Sequence, residues 1–305
     1  MNFTLNQLRI FSKVAELGSI TKAAQELHLT QPAVSIQLKN LQEQFALPII
    51  EIVGRKVHVT DFGMELAKGA EAILEQVYAI NYQSLSYQGQ LTGKLKIMSV
   101  STGKYVMPYF LEGFMKAHPG IELNYQVTNK SQVQTALEKN EIDFGLVSML
   151  PEDLQLVSQP LLSNKLCLVG HPDLIHQGEE LPWKEVLASH PFLFREPGSG
   201  TRIQTERWLK LHHIVLPKRM ELSTNEAVKQ AVKAGLGISI MPIIGIIDEL
   251  KRKEIKIIEA PGLPMLSEWQ LVHLKGKKLM PASLALIQYL QKNTDGIKAK
   301  WFGDA

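Results

Sequence analysis

Apolar residues recur every three or four positions along the first 90 residues and give way to short β-like runs after that. Leu5, Leu8, Phe11 and Val14, with Ala15 beside them, form one stripe on a predicted helix over 5–17. Gly18-Ser19 stops it and supplies the next N-cap, and a short helix with Ala23, Ala24 and Leu27 on its inner face follows from about Ile20 to Leu27. Thr30 caps a third helix, predicted from Gln31 to about Phe45. Its inward face is Val34, Leu38 and Leu41, while Gln31, Pro32, Ser35, Ile36 and Lys39 point outward. Pro32 is tolerated in the first turn, where N–H groups have no helical acceptor. The run from Ile49 to Thr60, β-branched around Gly54-Arg55-Lys56, reads as a hairpin with a basic tip. Three helices and a hairpin in this order predict a winged helix-turn-helix.

Residues 62–88 form the longest helical pattern. Leu66, Ile73, Ile80 and Tyr87 repeat every seven residues, with Ala70, Val77 and Ser84 between them. A seven-residue seam asks for a partner helix, although a helix buried in a core would also satisfy it. After a linker at 89–93, strands are predicted at 94–100, 121–127, 144–149, 165–170, 192–195, 220–222 and 237–241. Helices are predicted between them at 105–117, 132–139, 201–211, 226–234 and 282–291. Such alternation predicts an α/β domain with a largely parallel sheet covered on both faces.

With 305 residues the chain is long enough for two or three compact units. Thirty-three Lys and Arg against thirty Asp and Glu leave a net charge of +3, so any nucleic-acid surface must be local. One cysteine, Cys167, excludes an intramolecular disulfide; its place in Leu166-Cys167-Leu168 reads as a small buried residue. Adjacent His212-His213 cannot share one helix face as metal ligands, and Gly235-Leu236-Gly237 follows a helix, as a C-cap does. Lys275 to Lys278 reads as a solvated loop. No targeting segment and no run of 18 apolar residues is seen, so a cytoplasmic location without membrane contact is expected. No cofactor, metal or catalytic residue is expected: nucleophile-elbow, Walker and zinc-protease patterns are all missing.

Two candidate sites emerge. A helix fits the DNA major groove, and polar side chains in its first turns reach base edges. Thr30, Gln31, Pro32 and Ser35 are therefore candidate base or phosphate contacts, and Lys39, Arg55 and Lys56 candidate phosphate contacts. Taken alone, these residues could equally be the solvated face of a small helical domain. In open α/β sheets ligands bind beyond the carboxyl ends of strands. There lie Ser101, Thr102, Thr128, Ser148, Ser199, Thr201 and Arg202, hydroxyl donors near helix N-termini with one arginine suited to a small anionic or polar metabolite. Taken singly, the serines and threonines serve as well as helix caps.

In these motifs the chain resembles the LysR-type transcriptional regulators. The resemblance is carried by Phe11, Ala15, Gly18-Ser19, Ala23-Ala24, Leu27, TQPAVS at Thr30 to Ser35 and GRKVHVTDFG at Gly54 to Gly63. It continues through MPYFLEGFMKAHPGIEL at Met107 to Leu123, IDFGLV at Ile142 to Val147, REPGSGTR at Arg195 to Arg202 and NEAVKQAVKAGLGISIMP at Asn225 to Pro242. It implies an α/β fold class with an N-terminal winged helix-turn-helix (1–60), a long linker and dimerisation helix (61–90), and a two-lobed periplasmic-binding-protein-like (type 2) effector domain (91–305). Lobe one would span about 91–162 and 269–305, lobe two about 163–268. It also implies a DNA-binding regulator and not an enzyme. Its partners would be double-stranded promoter DNA, a small-molecule effector and further copies of the chain as dimer or tetramer, with RNA polymerase a candidate. The REPGSGTR wording is similar to members that govern carbon fixation or sulfur metabolism. The chain departs from many relatives at Ile36, where they carry arginine, and at Ile49 to Ile52, where they carry Leu-Phe-Glu-Arg. Fewer phosphate contacts are expected there, and Ile36 is left as a thymine-methyl candidate. Since two-lobed α/β domains also serve as enzymes and solute carriers, those readings stand as the alternatives, with a ligand-free architectural DNA binder as a third.

Overall fold

The computed structural model describes residues 2–53, 56–87, 91–174, 182–216 and 218–303. The chain divides into two compact units, Met1–Gln90 and Leu91–Ala305.

In the first unit, α1 (Leu5–Leu17), α2 (Ile20–Glu26) and α3 (Gln31–Gln42) precede a hairpin of β1 (Ile50–Val53) and β2 (Lys56–Val59), and α4 (Asp61–Tyr87) follows. Each start has a local cause. Thr4 and Gln7 form a reciprocal capping box on α1, the Ser19 hydroxyl accepts from Lys22 N–H, and Thr30 does the same for Ala33 N–H. Gly18 ends α1 in the left-handed conformation at φ +58°. Leu8, Ile10, Phe11, Val14, Ala23, Ala24, Val34, Leu38 and Leu41 make one core, and Ile49 and Ala70 close it from the hairpin and α4. The predicted seam on α4 divides in two. Leu66 and Ala70 pack on this core, whereas Ile73 and Ile80 are 43% and 66% exposed. The side chains of Ser84 and Tyr87, which fall in the same seam, lie outside the described residues.

The second unit opens with β3 (Gly93–Val100), a 3₁₀ turn (Ser101–Tyr105), α5 (Met107–Ala117), β4 (Ile121–Thr128), α6 (Lys130–Glu138), β5 (Phe144–Val147) and β6 (Leu156–Gly170). It continues with α7 (Trp183–Ser189), β7 (Phe192–Arg195), α8 (Gly200–Leu211), β8 (Arg219–Leu222), α9 (Asn225–Lys233) and β9 (Ser239–Pro242). A 3₁₀ turn (Ile243–Gly245), α10 (Ile247–Lys251), β10 (Lys256–Ile258), β11 (Met265–Leu274) and α11 (Pro281–Trp301) complete it. The main sheet runs β10-β6-β11-β5-β3-β4 with β9 on β6, and β7 pairs with β8 apart from it.

The expectation of a largely parallel sheet is corrected here. β3 is parallel to β4 and β5, and β7 to β8, but β6 pairs antiparallel with β9, β10 and β11, and β11 with β5. The reason is the path of the chain. β6 and β11 are long strands that run in opposite directions from one core region to another. Leu161, Leu162, Trp269 and Leu271 belong to the first core, with Phe110, Phe114, Phe144 and Leu286. Leu166 and Leu168 belong to the second, with Phe192, Phe194, Trp208 and Ile240. Cys167 and Val169, which alternate with them along β6, belong to a third core with Leu193, Val228, Val232 and Met241. The first core makes one lobe and the other two make the second, with β6 and β11 running through both lobes. Cys167, on β6, is buried, and burial pushes its thiol pKa up.

Candidate functional site

The first unit presents α3 with one buried face and one open one. Val34, Leu38 and Leu41 face the core, while Gln31, Pro32, Ile36 and Lys39 are exposed and Ser35 is half-buried. Thr30 sits at the N-cap with its oxygen 3.4 Å from Ala33 N. The open face thus carries polar and cationic side chains, which suits an anionic groove. Lys39 is 78% exposed in its side chain, and its nearest carboxylate, on Glu43, is 4.0 Å away. Gln42 at the end of α3 fixes the hairpin: its amide donates to Leu47 O at 2.9 Å, and its oxygen accepts from Ile49 N–H at 2.7 Å. Thr60 donates to Pro48 O and accepts from Gly63 N–H, tying the hairpin to the start of α4. Arg55 and the Lys56 side chain, expected at the tip, lie outside the described residues.

The second unit holds a small cleft between its lobes. From the first lobe come Ser101 and Thr102 after β3, Asn129 and Lys130 at the start of α6, and Ser148 and Met149 after β5. From the second come Arg195, Ser199, Gly200 and Thr201. All are at strand ends or helix starts, where the sheet leaves backbone N–H groups unpaired. Ser199 occupies the N-cap position of α8 without making a capping hydrogen bond, so its hydroxyl is not committed to its own helix. Gly198, at φ +85°, lets the turn pass close to α6: Ser131 N–H donates to Gly198 O at 3.3 Å, and a Cβ on Gly198 would stand 2.8 Å from Ser131 Oγ.

Five of the seven sequence-expected residues, Ser101, Thr102, Ser148, Ser199 and Thr201, line this cleft, and Thr128 and Arg202 do not. Thr128 ends β4 one residue before the cleft-lining Asn129. Arg202 has other partners: Nε donates to Glu206 Oε1 at 2.9 Å, and Nη1 to Glu221 Oε2 at 2.6 Å and to Arg195 O at 2.9 Å. Hydrogen bonding to Glu221, above all, raises its pKa further. The arginine at the cleft is Arg195, which sequence reasoning missed. It is 5% exposed, and its Nε and Nη2 pair with Glu196 Oε2 and Oε1 at 2.8 and 2.9 Å. A charged residue closing the apolar run Phe192-Leu193-Phe194 was the available signal. Lys130 and Asn129 were also missed, and the asparagine directly before a helix was the cue for that turn.

Two cations, several hydroxyls and two helix N-termini can hold a small anion. Among the described residues that line the cleft there is no histidine or carboxylate. Among the described residues no helix is long and apolar enough to cross a membrane.

Comparison with known proteins agrees with both halves. Residues 5–64 match the family model for the bacterial regulatory helix-turn-helix protein, lysR family, and residues 88–295 match that for the LysR substrate binding domain. The chain is 35% identical over 287 residues to the RuBisCO operon transcriptional regulator of Acidithiobacillus ferrooxidans, covering 94% of this chain and 93% of that protein. It is 37% identical over 288 residues to the HTH-type transcriptional regulator CbbR of Rhodospirillum rubrum, covering 94% and 95%. Among solved structures, the CcmR regulatory domain of Synechocystis in complex with 2-PG is similar at 33% identity and a TM-score of 0.62, covering 67% of this chain and 98% of that one. The enzyme and solute-carrier readings give way, because both halves match a family of DNA-binding regulators. With a helix-turn-helix domain matched at its amino end and a substrate-binding domain matched over the remainder, this chain belongs to the LysR family of transcriptional regulators.

Proposed function

We propose that this LysR-type regulator senses a small anionic metabolite in the cleft beside Arg195 and controls genes of carbon fixation. The observation that carries the anion is Arg195 itself, a guanidinium 5% exposed on the wall of a cleft that also holds Lys130 and two helix starts. A cation this buried is stabilised by anions, and Glu196 supplies one from the neighbouring position. An incoming carboxylate or phosphate would add bonds from the donors that Glu196 leaves open. Ser101, Thr102, Ser148, Ser199 and Thr201 would orient it. Thr128 and Arg202 act one step back, Thr128 by placing Asn129 and Arg202 by holding the Arg195 backbone. The carbon-fixation assignment is supported by the relatives named RuBisCO operon transcriptional regulator and CbbR, and 2-PG, bound by the CcmR domain, is the first ligand to test.

Residues 1–60 would bind promoter DNA, with Gln31, Pro32 and Ser35 reading bases, Thr30 setting the helix start, and Lys39, Arg55 and Lys56 meeting phosphates. Residues 61–90 would pair two copies, which the exposed Ile73 and Ile80 support. Residues 91–305 would sense the ligand, with lobe one at about 91–162 and 269–305 and lobe two at about 163–268. The working location would be the cytoplasm and the assembly a dimer or tetramer, with RNA polymerase a candidate partner at the promoter.

The test is a thermal-stability screen of the full chain against 2-PG, other small phosphorylated acids and uncharged analogues. A ligand that binds only the native state raises stability by about 2.7 kcal/mol at a hundred times its Kd. Stabilisation by phosphorylated acids alone is the expected result; stabilisation by none of them, or equally by the uncharged analogues, would overturn the anion assignment.

A further inference from the structure

We infer that Ile36 is a specificity-determining residue that reads the 5-methyl group of a thymine in the operator. The inference rests on the reading that α3 enters the major groove. At about 100° per residue, Ile36 lies roughly 165° around α3 from the centre of the buried face formed by Val34, Leu38 and Leu41. It is 56% exposed, on the side of the helix farthest from the core. Pro32 precedes it by four residues on the same crest, and Lys39 follows by three, both exposed. The outermost line of the reading helix is therefore apolar at two successive turns and cationic at the next.

An exposed β-branched residue gains nothing for helix formation over the lysine or glutamine that such a position ordinarily holds. It has no packing role in its own unit, whose core lies on the opposite face. Its side chain can neither donate nor accept a hydrogen bond. On the major-groove edge of DNA, the C5-methyl of thymine is the apolar group. Against guanine, adenine or cytosine an isoleucine would cover N7, O6, N6 or N4 and leave it without water or partner, which is penalised. Attraction to one base and rejection of the others together make a preference.

The experiment uses the full chain and a promoter fragment that it retains selectively. Each thymine in the fragment is replaced singly by deoxyuridine, which deletes only the 5-methyl group. Binding is measured by fluorescence anisotropy for the wild type, Ile36→Ala and Ile36→Val. At one thymine per half-site the wild type should lose about 3–6-fold in affinity, the size of one buried methyl group. Ile36→Ala should lose less than twofold on the same replacement, and Ile36→Val should fall between. The proposal is overturned if no deoxyuridine replacement weakens the wild type, or if Ile36→Ala is weakened equally. It is also overturned if Ile36→Ala changes the oligomeric state without DNA, which would make this crest a protein contact. Failure of the wild type to retain any fragment selectively would overturn the groove reading beneath it too, and so is distinguishable.

Discussion

The Tyr105 hydroxyl donates to Glu226 Oε2 at 3.2 Å, joining the 3₁₀ turn after β3 in one lobe to the start of α9 in the other. Lys229 extends the link, with Nζ 3.2 Å from both Glu226 and the buried Glu249. A Cβ on Gly245 would stand 3.0 Å from the Tyr105 ring edge, a tight contact. Together with Ser131 and Gly198, this polar joint fixes how the two lobes stand around the cleft. Tyr105→Phe keeps the ring and removes the bond, so the full chain should lose about 1 kcal/mol in urea denaturation. An unchanged midpoint and slope would show that the joint contributes nothing.

The same joint makes stability depend on pH. Burial pushes the Glu226 carboxyl upward, but hydrogen bonds from Gln230, Lys229 and Tyr105 outweigh it and hold the group below the ordinary carboxylate range. A carboxyl depressed in the folded state contributes stability above its unfolded pKa, and that contribution is lost as pH falls through the folded value. Lys229 behaves oppositely. Burial alone would lower its pKa, yet its carboxylate partners raise it, so its contribution is full below the ordinary lysine value and is lost at alkaline pH above it. Urea midpoints followed from neutral pH down to about pH 3 should fall more steeply for the wild type than for Glu226→Gln. Parallel acid limbs would contradict the assignment.

Much of the first unit was legible because its helices obey a short-range rule. The apolar spacing of Val34, Leu38 and Leu41 and the cap at Thr30 locate α3 to within a few residues, since both signals lie inside the helix itself. β11 was missed for the opposite reason. Its residues alternate in burial over Met265–Glu268, then are mostly buried over Trp269–His273, because the strand passes from one core into another, and no single period describes it. At the cleft, hydroxyls following strands could be read locally, but the fate of Arg202 could not. Glu221, its shortest contact, is 19 residues away, and only the fold brings the two together. Arg195 was hidden because a charge at the end of a buried strand looks like a solvated terminus.

Arg195→Met should abolish ligand-induced stabilisation while leaving selective DNA retention by the first unit in place. Arg195→Lys should not rescue it, because an ammonium cannot offer the guanidinium's paired N–H groups to a planar acid. Thermal shifts with 2-PG, run beside DNA-binding assays, would check both. Full stabilisation of Arg195→Met would remove this residue from the site.

Gly63 is where the hairpin meets α4. A Cβ there would stand within 2.0 Å of Ile49 O, whereas one on Gly69, later in the same helix, would meet nothing within 4 Å. Gly63→Ala should therefore destabilise the chain by about 1–3 kcal/mol or more, and Gly69→Ala should stabilise it by about 0.5–1 kcal/mol through helix propensity. Equal effects in chemical denaturation would contradict the close approach.

The most direct test of the account is equilibrium binding of the full chain to its own upstream DNA and to a scrambled duplex, across salt concentrations, for wild type, Gln31→Ala and Lys39→Ala. The account predicts that the wild type prefers the native fragment by at least about 10³-fold. Gln31→Ala should lose about 1–3 kcal/mol of that preference at particular base pairs, while Lys39→Ala should weaken both duplexes alike and lessen the salt slope by about one. Equal wild-type affinity for the two duplexes at every salt concentration would contradict it.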